Sequence, residues 1–219
     1  MLNPRQSVLA EGLGTGLLVA AVVGSGIAAQ GLTEDVGLQL LINALSTVAA
    51  LGVLITLLLP ISGAHFNPVV TLVAAIRGDI DRRLAVLYAA AQFVGAVGGT
   101  LLAHAMFEHS AVSWSSADRT GYGQWVGEAV ATAGLILTVL LATRSQIPVA
   151  VPAWIGAAYF FTSSTSFANP AVTLGRAFTD SFSGIAWNDV LAFFISQIVG
   201  AVLALGIVSL LSITSREPA

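Results

Sequence analysis

Two short runs, NPVVTL at residues 67–72 and NPAVTL at residues 169–174, have almost the same spelling and decide how the rest of this chain can fold. In each run an Asn, whose side chain carries two amide N–H donors, precedes a Pro suited to the first turn of a helix. About two apolar turns follow, which is too short to cross a bilayer. We therefore predict two half-helices that enter a membrane from opposite sides and place both Asn amides at its centre.

The composition indicates a membrane protein that crosses the bilayer several times. Of the 219 residues, 56% are hydrophobic and only 9% are charged, whereas about a quarter of the residues of a soluble domain are charged. The apolar stretches suit six transmembrane helices of about 20 residues. We place these helices near residues 7–29, 37–59, 83–106, 122–143, 146–161 and 188–213, with Pro60 ending the second. The predicted fold class is all-α, with six spans and two re-entrant half-helices.

Three landmarks occur in the same order in both halves of the chain. Each half has a Glu in its first span, an Asn-Pro run after its second span and the pattern QxVGAV in its third. Because each half has three spans, the second half must be inverted relative to the first, and the broken helices of such repeats meet at the membrane midplane. We expect a single channel domain, residues 1–219, with repeats at about 1–110 and 118–219. Gly12 and Gly16 form a GxxxG face for close helix packing.

The arginines predict the orientation. The chain has no Lys, and with a cytoplasmic N-terminus six arginines lie inside (residues 5, 77, 82, 83, 144 and 216), while Arg119 and Arg176 lie outside. This distribution follows the positive-inside rule. We expect both termini in the cytoplasm and a location in the cell (inner) membrane.

The residues before each Asn-Pro run are small and polar, at 62–65 and 162–166. Irregular backbone at membrane depth is tolerated only where it is buried in protein or lines a wet cavity. A ladder of carbonyls and hydroxyls can replace the hydrogen bonds that a small solute loses on leaving water. Asn67 and Asn169 can each donate to one solute oxygen, and the two helix N-termini, each carrying about half a positive charge, would repel cations.

The chain resembles the aquaporin, or major intrinsic protein, family, which has two Asn-Pro-Ala boxes in inverted halves. The resemblance covers nearly the whole chain, and its residues are Glu11, Ser62 to Pro68, Gln92, Glu128, Asn169 to Ala171 and Gln197. It implies a passive channel for small neutral solutes and water, with one pore per subunit and homotetramers in the lipid membrane. It places the central constriction at Asn67, Pro68, Val69, Asn169, Pro170 and Ala171. The first box departs from the family pattern because Val69 replaces Ala.

The second departure is Val172, where water- and glycerol-conducting relatives have an Arg in the outer selectivity filter. Counted without gaps from the two Asn-Pro boxes, the other filter positions fall on Thr47, Ala157 and Ser166. A gap in the short fifth span would move the second of these assignments from Ala157 to Tyr159 or Phe160. This ring would be wide and uncharged. A Val at the Arg position resembles bacterial aquaglyceroporins associated with arsenic resistance, so we expect arsenite, other arsenicals and glycerol-like polyols as solutes, with water also possible.

Several other polar residues have two interpretations each. Glu11 and Glu128 either relay protons or, as their symmetric placement favours, bind the unwound backbone, with Gln92 and Gln197 in similar structural roles. His65 either gates the pore with pH or packs as a neutral ring. Arg176 lies one turn beyond Val172 and either substitutes for the missing filter Arg or lies at the interface.

The remaining patterns limit the function classes. Without cysteines the chain has no disulfides, Cys-based metal sites or thiol catalysis. No His pair has metal-ligand spacing, and we expect no metal, no cofactor, no nucleic-acid partner and no enzymatic activity. The alternatives to a solute channel are a proton-coupled carrier of small neutral solutes that uses Glu11 or Glu128, a mainly water-conducting aquaporin, and a non-transporting membrane scaffold.

Overall fold

The computed structural model describes residues 3–211, and this part of the chain is entirely α-helical, with no strand. It has eight helices: α1 (Pro4–Leu32), α2 (Val36–Ser62), α3 (Pro68–Arg77), α4 (Arg82–Met106), α5 (Tyr122–Leu141), α6 (Ile147–Phe161), α7 (Pro170–Arg176) and α8 (Trp187–Leu210). Five of them (α1, α2, α4, α5 and α8) are long and apolar enough to cross a membrane. The predicted fold class is confirmed. Arg216 and the predicted end of the last span at Ile213 lie outside the described residues.

The predicted end of the second span differs from the structure, and the sixth helix is as short as predicted. The prediction that Pro60 ends the second span is wrong, because α2 continues to Ser62 and stops at Gly63, whose φ of 91° is left-handed. A proline within the last turn removes one backbone hydrogen bond but leaves the preceding turns intact. The sixth helix, α6, is only 15 residues long, which is roughly 22 Å at 1.5 Å per residue. It cannot cross the hydrocarbon layer alone, and non-helical backbone continues from Thr162 toward α7.

The helices pair in the same way in the two halves of the chain. Helix α1 packs against α2 and α4, and α5 packs against α6 and α8. Each half-helix contacts the last helix of both halves: α3 packs on α4 and α8, and α7 packs on α8 and α4. The two half-helices also contact each other. Each half therefore supplies four helices in the same arrangement, and the two half-helices meet inside the bundle.

Glycines allow α1 and α4 to approach closely. A Cβ built on Gly12 would lie 3.3 Å from the carbonyl oxygen of Ala91, and one on Gly16 would lie 3.1 Å from that of Gly95. A Cβ on Gly99 would collide with the carbonyl oxygen of Gly16. The predicted GxxxG face is confirmed, and it faces a second small-residue stripe on α4. Backbone contact of this kind stabilises helix pairs where lipid gives no hydrophobic drive for association.

Candidate functional site

The two Asn-Pro runs meet as matched helix caps. Asn67 and Asn169 are the N-caps of α3 and α7, and their Oδ1 atoms accept hydrogen bonds of 2.9 Å from the backbone N–H of Val69 and Ala171 respectively. The Nδ2 atom of Asn67 donates to the carbonyl of Ala168 at 2.7 Å, and that of Asn169 donates to the carbonyl of Phe66 at 2.8 Å. Each amide is thus held by its own half-helix and by the opposite one. One N–H of each Nδ2 remains for a solute.

The backbone before each half-helix repeats an unusual conformation. Gly63, Ala64 and Phe66 have φ values of 91°, 50° and 49°, and Thr165, Ser166 and Ala168 have 59°, 51° and 48°. The three positions lie four, three and one residues before the Asn in both halves. Left-handed conformations cost about 1–3 kcal/mol each for residues other than Gly and persist only where the surroundings enforce them.

In the first half, Glu11 holds the unwound backbone. Its Oε1 accepts hydrogen bonds from the Ser62 hydroxyl at 2.6 Å and from the backbone N–H of His65 at 2.9 Å. Its Oε2 accepts from the backbone N–H of Phe66 and from Nε2 of Gln92, both at 2.7 Å. Glu11 is fully buried, so these donors replace the water that a buried carboxylate loses.

In the second half, Glu128 has the equivalent role. Its two oxygens accept from the backbone N–H groups of Phe167 at 2.8 Å and Ala168 at 2.9 Å, and Nε2 of Gln197 donates to it at 2.6 Å. Gln197 also donates to Thr173 at 2.9 Å, as Gln92 does to Thr71 in the first half. These are the contacts expected of a structural role, and neither carboxylate lines the cavity described below.

A cavity of about 330 Å³ runs past the paired Asn side chains. Both unwound segments line it, at 63–67 and 166–169, and apolar side chains cover much of the remaining wall: Leu18, Val22, Leu51, Ile55, Leu59, Val70, Leu135, Val139, Ile147, Val151 and Ile155. Its titratable side chains are His65, Tyr159, Arg144 and Arg176, and among the described residues no Asp or Glu lines it. The cavity therefore presents fixed polar groups on an apolar wall and a positive balance of charge.

Of the six residues expected at the central constriction, only Asn67 and Asn169 line the cavity. Val69, Pro170 and Ala171 are buried behind them, in the packing between the half-helices. Pro68 borders a separate groove between α3 and α4. The two Asn residues precede the first helical turn, whereas Val69, Pro170 and Ala171 lie within that turn and are packed among protein groups.

Three of the four predicted filter residues, Thr47, Ser166 and Val172, line the cavity, and Ala157 does not. Ala157 is exposed on the outside of α6, so its assignment to the filter is wrong. At 100° per residue, its neighbours Ile155 and Tyr159 point to the opposite side, and both line the cavity. The Tyr159 hydroxyl donates to Oγ1 of Thr47 at 3.2 Å. Phe160, the other alternative, is 56% exposed.

Two further polar side chains that line the cavity, Ser166 and His65, differ in their protein partners. The Ser166 hydroxyl is buried and makes no hydrogen bond to the residues that the structure describes. His65 lines the inner side, where its Nδ1 lies 3.1 Å from Oγ1 of Thr71 and its ring packs edge-on against Tyr88. The Ser166 hydroxyl thus has no partner among the described residues, whereas the His65 ring is fixed by its neighbours.

Arg176 lines the cavity and is only 2% exposed. Its guanidinium carbon lies 3.3 Å from the centroid of the Phe167 ring, and its Nε donates to the carbonyl of Ser183. Arg119 is not among the predicted site residues, yet its guanidinium carbon lies 4.8 Å from the same centroid. Arg119 comes from the loop between α4 and α5, and burial lowers its pKa. The only signal for it was its predicted place, with Arg176, on the outer side.

No group of three or more His, Cys, Asp or Glu side chains that could hold a metal ion occurs between residues 3 and 211. The arrangement offers neutral donors, unwound carbonyls and two arginines along a passage. Such a set can replace the hydration of a small solute in transit.

Comparisons with known proteins agree on one family. A profile described as the major intrinsic protein family matches residues 2–163. The aquaglyceroporin AqpS of Rhizobium meliloti (strain 1021) is 52% identical over 202 residues, which are 91% of this chain and 87% of that protein. A probable aquaporin, TIP1-2, of Oryza sativa subsp. japonica is 31% identical over 233 residues, covering 98% of this chain and 89% of its own.

A solved structure supports the fold. The aquaglyceroporin from Plasmodium falciparum superimposes with a TM-score of 0.69, covering 94% of this chain and 96% of that one, at 20% sequence identity. At this identity the likeness speaks for the fold alone.

Proposed function

Because the chain belongs to the major intrinsic protein family, whose aquaglyceroporins are channels and not enzymes, we propose that it conducts small uncharged solutes passively through the cavity between its half-helices. The proposed solutes are glycerol-like polyols and metalloid hydroxides such as undissociated arsenous acid, with water as a further permeant. We further propose a homotetramer with one pore per subunit, in the inner membrane, with both termini in the cytoplasm.

The observation that carries this proposal is the outer ring of the cavity. Thr47, Tyr159 and Ser166 supply hydroxyl groups, and Val172 supplies an apolar surface where the family's water and glycerol channels have an Arg. Polyols and arsenous acid both carry several hydroxyl groups around an uncharged centre. A ring that combines hydrogen-bonding and apolar sides suits such solutes, because pore selectivity follows diameter and the donors and acceptors of the lining.

The same ring is less open than the sequence suggested. Tyr159 in place of Ala157 adds a large side chain, although its hydroxyl is already bonded to Thr47. Ser166 retains an unpartnered hydroxyl, and each Asn keeps an N–H beyond its protein bond. We propose that a solute hydroxyl passes from Ser166 to the Asn pair, which together replace part of its hydration.

A proton-coupled carrier is disfavoured by the position of the two intramembrane carboxylates. Glu11 and Glu128 are fully buried, are occupied by backbone and amide donors, and do not line the cavity. A coupling carboxylate has to exchange protons with the solute pathway or with both aqueous sides. The geometry instead suits two fixed supports for the unwound segments.

The decisive experiment compares water, glycerol and arsenous acid in the same proteoliposomes. We expect solute fluxes that do not saturate and do not need a pH gradient. Replacing Val172 by Arg should reduce glycerol and arsenous acid flux more than water flux, because it adds a long charged side chain to the ring. Val172→Leu is the uncharged control. Unchanged arsenous acid flux in the Arg variant would show that Val172 does not lie in the filter.

A further inference from the structure

At the outer end of the cavity, the buried Arg176 and the half-buried Arg119 lie beside one aromatic ring. Arg176 is 2% exposed and Phe167 is 4% exposed. The guanidinium carbons of Arg176 and Arg119 lie 3.3 and 4.8 Å from the Phe167 centroid. Stacking on a ring engages the face of a guanidinium and leaves its in-plane N–H groups free to donate. The Phe167 ring therefore organises two cations without using their hydrogen bonds.

The two arginines differ in how their donors are used. Arg119 donates from Nε to the carbonyl of Gly184 at 2.7 Å, and its terminal nitrogens reach the carbonyls of Ser164 and Phe182 at 3.5 Å. Arg176 donates only from Nε, to Ser183. Its terminal nitrogens make no hydrogen bond to the part of the chain that the structure describes. They belong to a side chain that lines the cavity.

Within residues 3–211, neither arginine is paired with a carboxylate. The single ion pair found in this part of the chain joins Arg77 and Asp79, which are distant in sequence from both Arg119 and Arg176. The acidic groups nearest to the arginines are already bound: Asp189 accepts from the backbone N–H of Arg119 at 2.8 Å, and Glu128 accepts from Phe167 and Ala168. Buried charges are ordinarily paired, since an isolated one loses its hydration without compensation.

We propose that Arg176, supported by Arg119 and Phe167, forms a binding site for a small oxyanion at the outer end of the pore, with Ser166 as an additional donor. The ligand class is a monoanion with two or more oxygens on one centre, such as a carboxylate or a sulfonate. The free edge of a guanidinium matches such a group with two parallel N–H···O bonds. The cavity wall contains no Asp or Glu among the described residues to repel it.

This site goes beyond the proposed function, because its ligand is an anion, whereas the proposed permeants are uncharged. It predicts that a small oxyanion binds in the pathway and competes with neutral solutes. The test of this site by solute flux rests on the proposed channel function. Direct measurement of anion binding does not, so failure of the site and failure of the channel function can be distinguished.

The probe is methanesulfonate, which is permanently ionised near neutral pH and so does not cross lipid as a neutral acid. Binding to the full-length protein in lipid nanodiscs is measured by saturation transfer to its methyl protons, and inhibition of glycerol flux is measured in proteoliposomes. We expect binding and inhibition by methanesulfonate that exceed those of chloride at equal ionic strength. Arg176→Met should weaken both at least about tenfold, the loss expected for one charge-assisted pair.

Arg77→Met is the matched control, because it removes the same charge from an exposed position outside the cavity, and it should leave methanesulfonate affinity unchanged. If Arg176→Met does not fold, Arg119→Met decides: a severalfold weaker affinity supports the site, and an unchanged affinity overturns it. Equal effects of Arg176→Met and Arg77→Met, or equal inhibition by chloride, would also overturn it. Binding of methanesulfonate to a protein without solute flux would refute the proposed channel function and retain the site.

Discussion

Replacing Glu128 by Gln separates a structural carboxylate from a proton carrier. Glu128 accepts from the backbone N–H of Phe167 on one oxygen and from that of Ala168 on the other, with Gln197 as a third donor. In the Gln variant one of these oxygens becomes an NH₂ group. The Gln197 amide can turn and present its oxygen, but one backbone N–H is left facing a donor. An unsatisfied buried donor costs about 1–3 kcal/mol.

We therefore expect Glu128→Gln to lower the free energy of unfolding by about 2 kcal/mol, which is roughly 4–8 °C in the thermal midpoint of a chain of this size. The midpoint is measured by tryptophan fluorescence of the purified protein. Glycerol flux, expressed per folded channel, should be unchanged, because Glu128 does not line the cavity. Flux of the wild-type protein should be the same with and without a pH gradient.

Two further variants act as controls. Glu11→Gln should cost a similar amount, since Glu11 also holds one backbone N–H on each oxygen, from His65 and Phe66. Glu34→Gln should have no effect, because Glu34 is exposed in the loop before α2. The reasoning is refuted if Glu128→Gln keeps the wild-type midpoint and loses flux. That result would assign the carboxylate to transport and favour the proton-coupled carrier.

Two other predictions test packing and the filter. Gly99→Ala should destabilise the protein by about 1–3 kcal/mol, because its Cβ would collide with the backbone of α1. Gly98→Ala lies on the open side of the same helix. In the same thermal assay it should be neutral or slightly stabilising. Tyr159→Trp should reduce glycerol flux more than water flux, because it narrows the ring. Ala157→Leu should leave both fluxes unchanged, since Ala157 faces outward. If stopped-flow assays show that Ala157→Leu reduces glycerol flux and Tyr159→Trp does not, Ala157 belongs to the filter.

The sequence predicts best the structural features that occur in both halves of the chain. Asn67 and Asn169 are followed by a Pro that suits a first helical turn, and both cap helices as expected. Glu11 and Glu128 recur in the first span of each half, ahead of the Asn-Pro runs, and both bind the unwound backbone. Because each motif occurs twice, the second copy supports the interpretation of the first. The role of each residue can therefore be predicted without knowledge of long-range contacts.

The parts that the sequence does not predict depend on register or on the path of a loop. Helix α6 is apolar around most of its circumference, so no periodic pattern distinguishes the inward Tyr159 from the outward Ala157. Arg119 reaches Phe167 only because the loop after α4 folds back over the bundle and its backbone binds Asp189 of α8. A contact between residues 119 and 167 leaves no local signature in the sequence, since neither residue's neighbours require the other.

The comparison of the two halves also indicates where selectivity arises. The scaffold is symmetric: both Asn amides cross to the opposite half, and both Glu–Gln–Thr networks have matching bonds. The positions equivalent to Ala64 and His65, counted from each Asn, are Ser166 and Phe167. The inner end therefore has a methyl group and an imidazole, whereas the outer end has an unpartnered hydroxyl and a ring that stacks against two arginines. Because the backbone has the same conformation at both ends, we propose that this difference in side chains carries the discrimination between solutes. Substitutions at the outer end should then change selectivity with less effect on stability than substitutions in the symmetric network.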